Sequence, residues 1–143
     1  MRIGEVLHVK GRTVVTIAPE ASVRELVALL GQHNVGALVV STDGATVAGI
    51  VSERDVVREL ANGPQVLERP VRDIMTTDVH SCNPDAHVTE LMHLMTEHRF
   101  RHVPVVVDGA LTGIISIGDV VKSRIGELEF ERDQLSNYVA GTQ

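Results

Sequence analysis

The sequence predicts an α/β fold made twice from one unit, and three observations predict it. Sliding the chain along itself by 65 residues superposes Pro19 on Pro84, Val23 on Val88, Leu26 on Leu91, Leu29 on Leu94 and His33 on His98. One extra residue in the first copy then changes the offset to 64, and Gly49, Ser52 and Asp55 meet Gly113, Ser116 and Asp119. The matches fall on turn, core and polar positions alike, which marks a duplication. Within each copy, residues at helical spacing alternate with short aliphatic runs bounded by Asp-Gly, as expected for helices interleaved with strands.

The elements follow in order. VVTI at 14–17 is extended and ends at Pro19. Ser22 is a candidate N-cap for a helix in which Val23, Leu26, Val27 and Leu30 form one apolar face. ALVVS at 37–41 is a buried strand, and Asp43-Gly44 makes the hairpin turn into VAGIVS. A second helix begins at the end of the heptad GIVSERD, 49–55. Asn62-Gly63-Pro64 ends that helix, and Pro70 opens the approach to the second copy. There Val88, Leu91, Met92 and Met95 form the helix face, VPVVV at 103–107 is the middle strand, and Asp108-Gly109 turns into LTGIIS. The heptad GIISIGD, 113–119, starts the last helix, which continues from Val120 to Tyr138. Its apolar stripe of Leu128, Leu135 and Tyr138 is thin and suits an arm that faces a partner. The chain divides into repeat 1 (1–61), linker (62–72), repeat 2 (73–125) and C-terminal helical arm (126–143).

Composition narrows the function. With 143 residues, 43% of them hydrophobic, the chain has material for one full core. One Tyr, two Phe and no Trp mean that the core is aliphatic. A formal charge of −6 argues against the basic face that a phosphate backbone selects, so no nucleic acid is expected. No apolar run reaches membrane-spanning length, no stretch reads as a signal peptide, and Cys82 has no partner for a disulfide. These features predict a cytoplasmic protein without membrane contact.

The two heptads carry the chemistry. Ser-x-x-Asp at a strand-to-helix junction is a capping box, with Ser52 accepting from the Asp55 backbone N–H and the Asp55 carboxylate returning to Ser52. The same geometry cradles a nucleotide. A helix N-terminus attracts phosphate, a serine hydroxyl bonds it, and an acceptor-only carboxylate suits the two donors of a ribose diol.

Gly-h-h-Ser-x-x-Asp, once in each unit of about sixty residues, resembles the cystathionine β-synthase (CBS) domain. The likeness covers residues 1 to about 125 and includes IAP at 17–19 and HRFRHVPVVVDG at 98–109. SERDVVR and SIGDVVK further resemble small stand-alone bacterial tandem-CBS proteins. The resemblance implies a tandem CBS pair of two β-α-β-β-α repeats related by a pseudo-two-fold axis, with a C-terminal helix. It implies clefts between the repeats that bind AMP, ADP, ATP or NAD(H) as regulatory ligand. Asp55 and Asp119 would hold ribose; Ser52, Ser116, Arg54, Arg101 and His102 would hold phosphate. The adenine wall would come from Ile17, Ala18 and Ala37 beside Asp119, and from Cys82, Asn83, Phe100 and Pro104 beside Asp55. Because Arg54, Arg101 and His102 converge on Asp55, that cleft should accept more phosphate, whereas fewer cations are evident near Asp119. A homodimer and an unidentified client protein are the expected partners.

Other readings are weaker. His98 and His102 are four apart but straddle a helix end and a strand start, so no metal ligand set is expected. There is no phosphate-binding Gly-x-x-x-x-Gly-Lys-Ser loop and no nucleophile with a base, so no enzymatic activity and no catalytic cofactor are expected. The alternatives are a constitutive interaction subunit with vestigial clefts and, behind it, a nucleotide-processing enzyme.

Overall fold

The structure is a computed structural model and describes residues 1–141. Its elements run α1 (Ile3–Lys10), β1 (Thr16–Ile17), α2 (Val23–His33), β2 (Ala37–Val40), β3 (Gly49–Ser52) and α3 (Glu53–Leu60). Two short 3-10 turns, Pro64–Glu68 and Val71–Asp73, make the connection. There follow α4 (Val88–His98), β4 (His102–Val107), β5 (Ala110–Ser116) and α5 (Ile117–Gly141).

Each repeat supplies a small sheet. β1 lies parallel to β2 with Thr16 opposite Val39, and β2 is antiparallel to β3 with Ala37 opposite Ser52. β4 and β5 pair from His102–Ser116 to Val107–Ala110. Cys82 takes the place of β1 beside them: its N–H donates to Pro104 O at 3.0 Å and its carbonyl accepts from Val106 N at 2.9 Å.

The helices obey local rules. Ser22 accepts from Glu25 N at 3.1 Å, and Val23, Leu26 and Leu30 are buried while Val27 is exposed at the flank of the face. α2 and α4 both end on a left-handed residue, Asn34 (φ 52°) and Arg99 (φ 58°). Asparagine adopts that conformation readily and arginine does so less often.

The two Asp-Gly turns differ. Asp108 and Gly109 both have positive φ (51° and 79°) and close a two-residue hairpin. In the first copy the extra residue breaks that register, and a loop spans 41–48. Asp43 organises it, its carboxylate accepting from Ala45 N (2.9 Å), Thr46 N (2.7 Å) and Thr46 Oγ1 (3.0 Å). The two backbone N–H groups, Thr46 first, pull the Asp43 carboxyl down to about 2.

Two aliphatic cores form, and each is completed by a segment from elsewhere in the chain. Ile3, Val6 and Leu7 of α1 pack with Val88, Leu91, Met95, Val103, Val105, Ile115 and Val120 of the second repeat. Val66, Val71 and Ile74 of the connection pack with Ile17, Val23, Leu26, Leu38, Val40 and Val51 of the first. The backbone bonds repeat as well. Ile3 N donates to Ala86 O (2.9 Å) and Gly4 N to Pro84 O (2.9 Å). Likewise Val71 N donates to Ala21 O (2.7 Å) and Arg72 N to Pro19 O (3.0 Å).

α1 is a helix that the strand-first reading of each repeat did not anticipate. Its N-cap is Arg2, outside the usual Ser, Thr, Asp and Asn set, and the apolar face it covers lies more than eighty residues away.

Candidate functional site

Both heptads fold as strand, cap and helix. Ser52 N and Oγ donate to Asp55 Oδ2 at 2.8 and 3.0 Å, and Asp55 N donates to Ser52 Oγ at 3.3 Å. Asp55 Oδ1 has no hydrogen bond among the described residues and can accept further donors. The second copy repeats the box: Ser116 N donates to Asp119 Oδ2 at 2.8 Å and Asp119 N to Ser116 Oγ at 3.2 Å. Matching backbone bonds fix the junctions, Glu53 N to Gly36 O at 2.9 Å and Ile117 N to Arg101 O at 2.8 Å.

A cleft of about 580 Å³ opens at the first of these junctions, a size that suits a small-molecule ligand. It is lined by Ser52, Arg54 and Asp55 of the first repeat and by Phe100, Arg101 and His102 of the second. Ala37, expected beside Asp119, lines this cleft instead, and Arg58 and Arg99 add two more cations. Among the described residues six of the eleven arginines make no ion pair, and four of those six, Arg54, Arg58, Arg99 and Arg101, line this cleft, with Arg2 and Arg12 outside it; Arg24, Arg69, Arg72, Arg124 and Arg132 all have carboxylate partners. A chain of net charge −6 thus concentrates partnerless guanidinium groups in one groove, with Glu53, Asp55 and Asp78 as the acids present. Such an arrangement binds anions by charge-assisted, forked hydrogen bonds.

The other sequence-derived residues lie elsewhere. Cys82 and Asn83 do not line this cleft: Cys82 is held in the ladder beside β4, and Asn83 Oδ1 accepts from Asp85 N at 2.8 Å. Burial, then the charge of Glu90, pushes the Cys82 thiol up to about 11, so it is no thiolate at neutral pH. Pro104 is inside β4, Ile17 is buried in the first core, and Ala18 is exposed after β1.

At the second junction a cation does stand beside Asp119. Lys10 Nζ donates to Asp119 Oδ2 at 2.5 Å and to Ile114 O at 2.7 Å. Burial alone would raise the Asp119 carboxyl, but the Lys10 hydrogen bond and the Ser116 N–H outweigh it and hold the group below the ordinary aspartate value. His102 lies between the junctions. Burial first, then the charge of Lys10, holds its imidazole below the ordinary value, against the opposing pull of Asp119 and Glu53. Glu53 and His102 flank Gly36, where a Cβ would meet them in ordinary contact, 3.4 Å from Glu53 Oε1 and 3.5 Å from His102 Cε1.

Sequence reasoning missed Lys10, Arg58, Arg99 and His80. Arg58 sits one helical turn beyond Arg54 (i, i+4), a legible signal; Lys10 reaches Asp119 only through the exchange of α1. Among the described residues no group of three or more His, Cys, Asp and Glu is placed to hold a metal, and no helix is long and apolar enough to cross a membrane.

Comparison with known proteins agrees with this architecture. The CBS domain family matches residues 5–62 and 71–126. The chain is 36% identical to the mitochondrial CBS domain-containing protein CBSX3 of Arabidopsis thaliana, over 97% of this chain and 72% of that one. It is similar to the crystal structure of the CBS-domain containing protein ATU1752 from Agrobacterium tumefaciens, with 44% identity, 87% of this chain and 99% of that chain covered, and a TM-score of 0.84. The CBS domain pair of protein MJ0100, in complex with 5′-methylthioadenosine and S-adenosyl-L-methionine, shares the fold at 23% identity, with 85% of this chain and 98% of that chain covered and a TM-score of 0.76.

Proposed function

The chain belongs to the CBS domain family, and from that premise we propose that it is a non-catalytic regulatory module that binds an adenosine nucleotide in the Asp55 cleft. The observation that carries this reading is the meeting of the Ser52–Asp55 helix start with four partnerless arginines in one groove. The helix N-terminus and Ser52 receive a phosphate, and Asp55 Oδ1 accepts from the ribose hydroxyls. Arg54 and Arg101, joined by Arg58 and Arg99, bind the remaining phosphate oxygens, and His102 lines the same cleft. AMP, ADP, ATP and NAD(H) all offer this chemistry, and four guanidinium groups favour the ligands with two or more phosphates. Ser116 and Asp119 are assigned a second, weaker cleft, in which Lys10 is the cation.

Both aspartates are engaged in helix capping, which supports a binding role over a catalytic one. A second copy and a client protein are the proposed partners. Val121, Ile125, Leu128 and Leu135 on α5 are 45, 51, 48 and 65% exposed, at spacings of four, three and seven that keep them on the stripe one helix uses against another, with Arg132 at the position between the last two. The acidic charge and lone cysteine support a cytoplasmic setting.

The test is thermal shift and calorimetry with AMP, ATP, NADH and S-adenosylmethionine. A saturating ligand at a thousand-fold excess over Kd stabilises by about 4 kcal/mol. Binding that Asp55→Asn abolishes is the expected result. No shift with any of the four overturns the nucleotide reading and favours a constitutive interaction subunit acting through α5.

A further inference from the structure

The ribose and phosphate assignments leave one feature of the Asp55 cleft unused. The chain has two phenylalanines, one tyrosine and no tryptophan, yet Phe100 stands in the cleft wall with two histidines. The His80 ring centroid lies 4.8 Å from that of His98 and 4.9 Å from that of Phe100, with interplanar angles of 28° and 19°. His98 and Phe100 are 5.8 Å apart and within 10° of parallel. Three rings from two separate stretches of chain therefore share nearly one orientation at the edge of the groove.

Core packing does not account for them. His80 and His98 are exposed, and Phe100 is only partly buried at the margin of the second core. Imidazoles in water gain little by stacking on each other, whereas a flat ring surface beside cations is what a nucleobase requires. The stretch His98-Arg99-Phe100-Arg101 alternates ring and cation, and all four residues line the cleft. Arg99 holds it there in the left-handed conformation, where the equivalent residue of the first copy is the better-suited Asn34.

We propose that His80, His98 and Phe100 form the stacking wall for the base of the nucleotide whose ribose and phosphates Asp55, Ser52 and the arginines hold. The proposal rests on the nucleotide reading, for which the family resemblance gave Phe100 alone of these three to the adenine wall; it adds His80 and His98 and makes ring stacking the mode of contact. The wall selects planar aromatic bases by their π-face.

The test compares wild type, His80→Gln and Phe100→Leu by calorimetry with two probes, ATP and inorganic tripolyphosphate. His80 is exposed, so that variant keeps the fold even if Phe100→Leu loosens the core margin. Loss of base stacking should weaken ATP binding roughly 5- to 150-fold and leave tripolyphosphate unchanged. Proton spectra should also show the adenine H2 and H8 resonances moving upfield on binding to wild type, and moving less with either variant. ATP affinity unchanged in both variants, or ATP and tripolyphosphate weakened together, overturns the wall and leaves the nucleotide reading standing. Tripolyphosphate binding without ATP binding in wild type, or no binding of either, overturns both.

Discussion

Leu7→Ala tests the exchange of segments between the repeats. Leu7 is 1% exposed, and it belongs by sequence to the start of the first repeat but by packing to the second core. Its contact is close: a Cβ on Gly113 would lie 2.7 Å from Leu7 Cδ2 and 2.9 Å from Cδ1. Gly113 sits within β5, so its backbone cannot move in to fill the space that Leu7 would leave. Buried leucine-to-alanine changes cost about 2–5 kcal/mol, the larger values where the cavity cannot collapse. A loss of about 3 kcal/mol is therefore expected, read as a lower urea midpoint at unchanged m. For a chain of this size it corresponds to a fall in Tm of roughly 10 °C. Hydrogen exchange supplies the location. Amides of Val103, Val105 and Ile115 should lose protection before those of Leu38, Val39 and Val40. A loss under about 1 kcal/mol, or earlier exposure of the first core, would refute the exchanged packing.

Three further outcomes follow from the site. His102 is held below its ordinary value, so the unfolded chain takes up its proton first; stability should fall as pH drops below about 6.5 and level off below the folded value, and His102→Gln should flatten that slope in urea melts. Lys10→Met should let the Asp119 carboxyl rise towards the ordinary aspartate range, visible in a carboxyl NMR titration. Cys82, half-buried and with its thiol pushed up to about 11, should react with a thiol reagent at neutral pH more slowly in the folded protein than in the urea-unfolded chain, and an equal or faster rate when folded would contradict the raised value.

Much of the fold was legible because its signals are local. Ser22 caps α2, Ser52 and Asp55 cap α3, and Asp108-Gly109 closes its hairpin, since each depends on residues within four positions. The first Asp-Gly did not make the same turn, because one inserted residue cancels a two-residue register and leaves Asp43 to order a longer loop. α1 escaped notice although Ile3, Glu5, Val6 and Leu7 mirror Val71, Asp73, Ile74 and Met75 at an offset of 68. Within the site, the serines, aspartates and Arg101-His102 stood out by repetition or by its failure. Lys10 and His80 carried no such mark, because what gives them a role is a neighbour some hundred or some twenty residues away.

The sequence by itself determined the duplication, the aliphatic character of the core and the two capped helix starts, since all three follow from short-range pattern and composition; that the core is divided in two came from the structure. Only the tertiary structure decided that each repeat is completed by the segment leading into the other. That exchange sets Lys10 against Asp119. The approach of the two repeats gathers four arginines and three rings around Asp55. The physical reason is that capping and periodicity are settled within a few residues, whereas burying an open apolar face depends on whichever segment the whole chain brings to it.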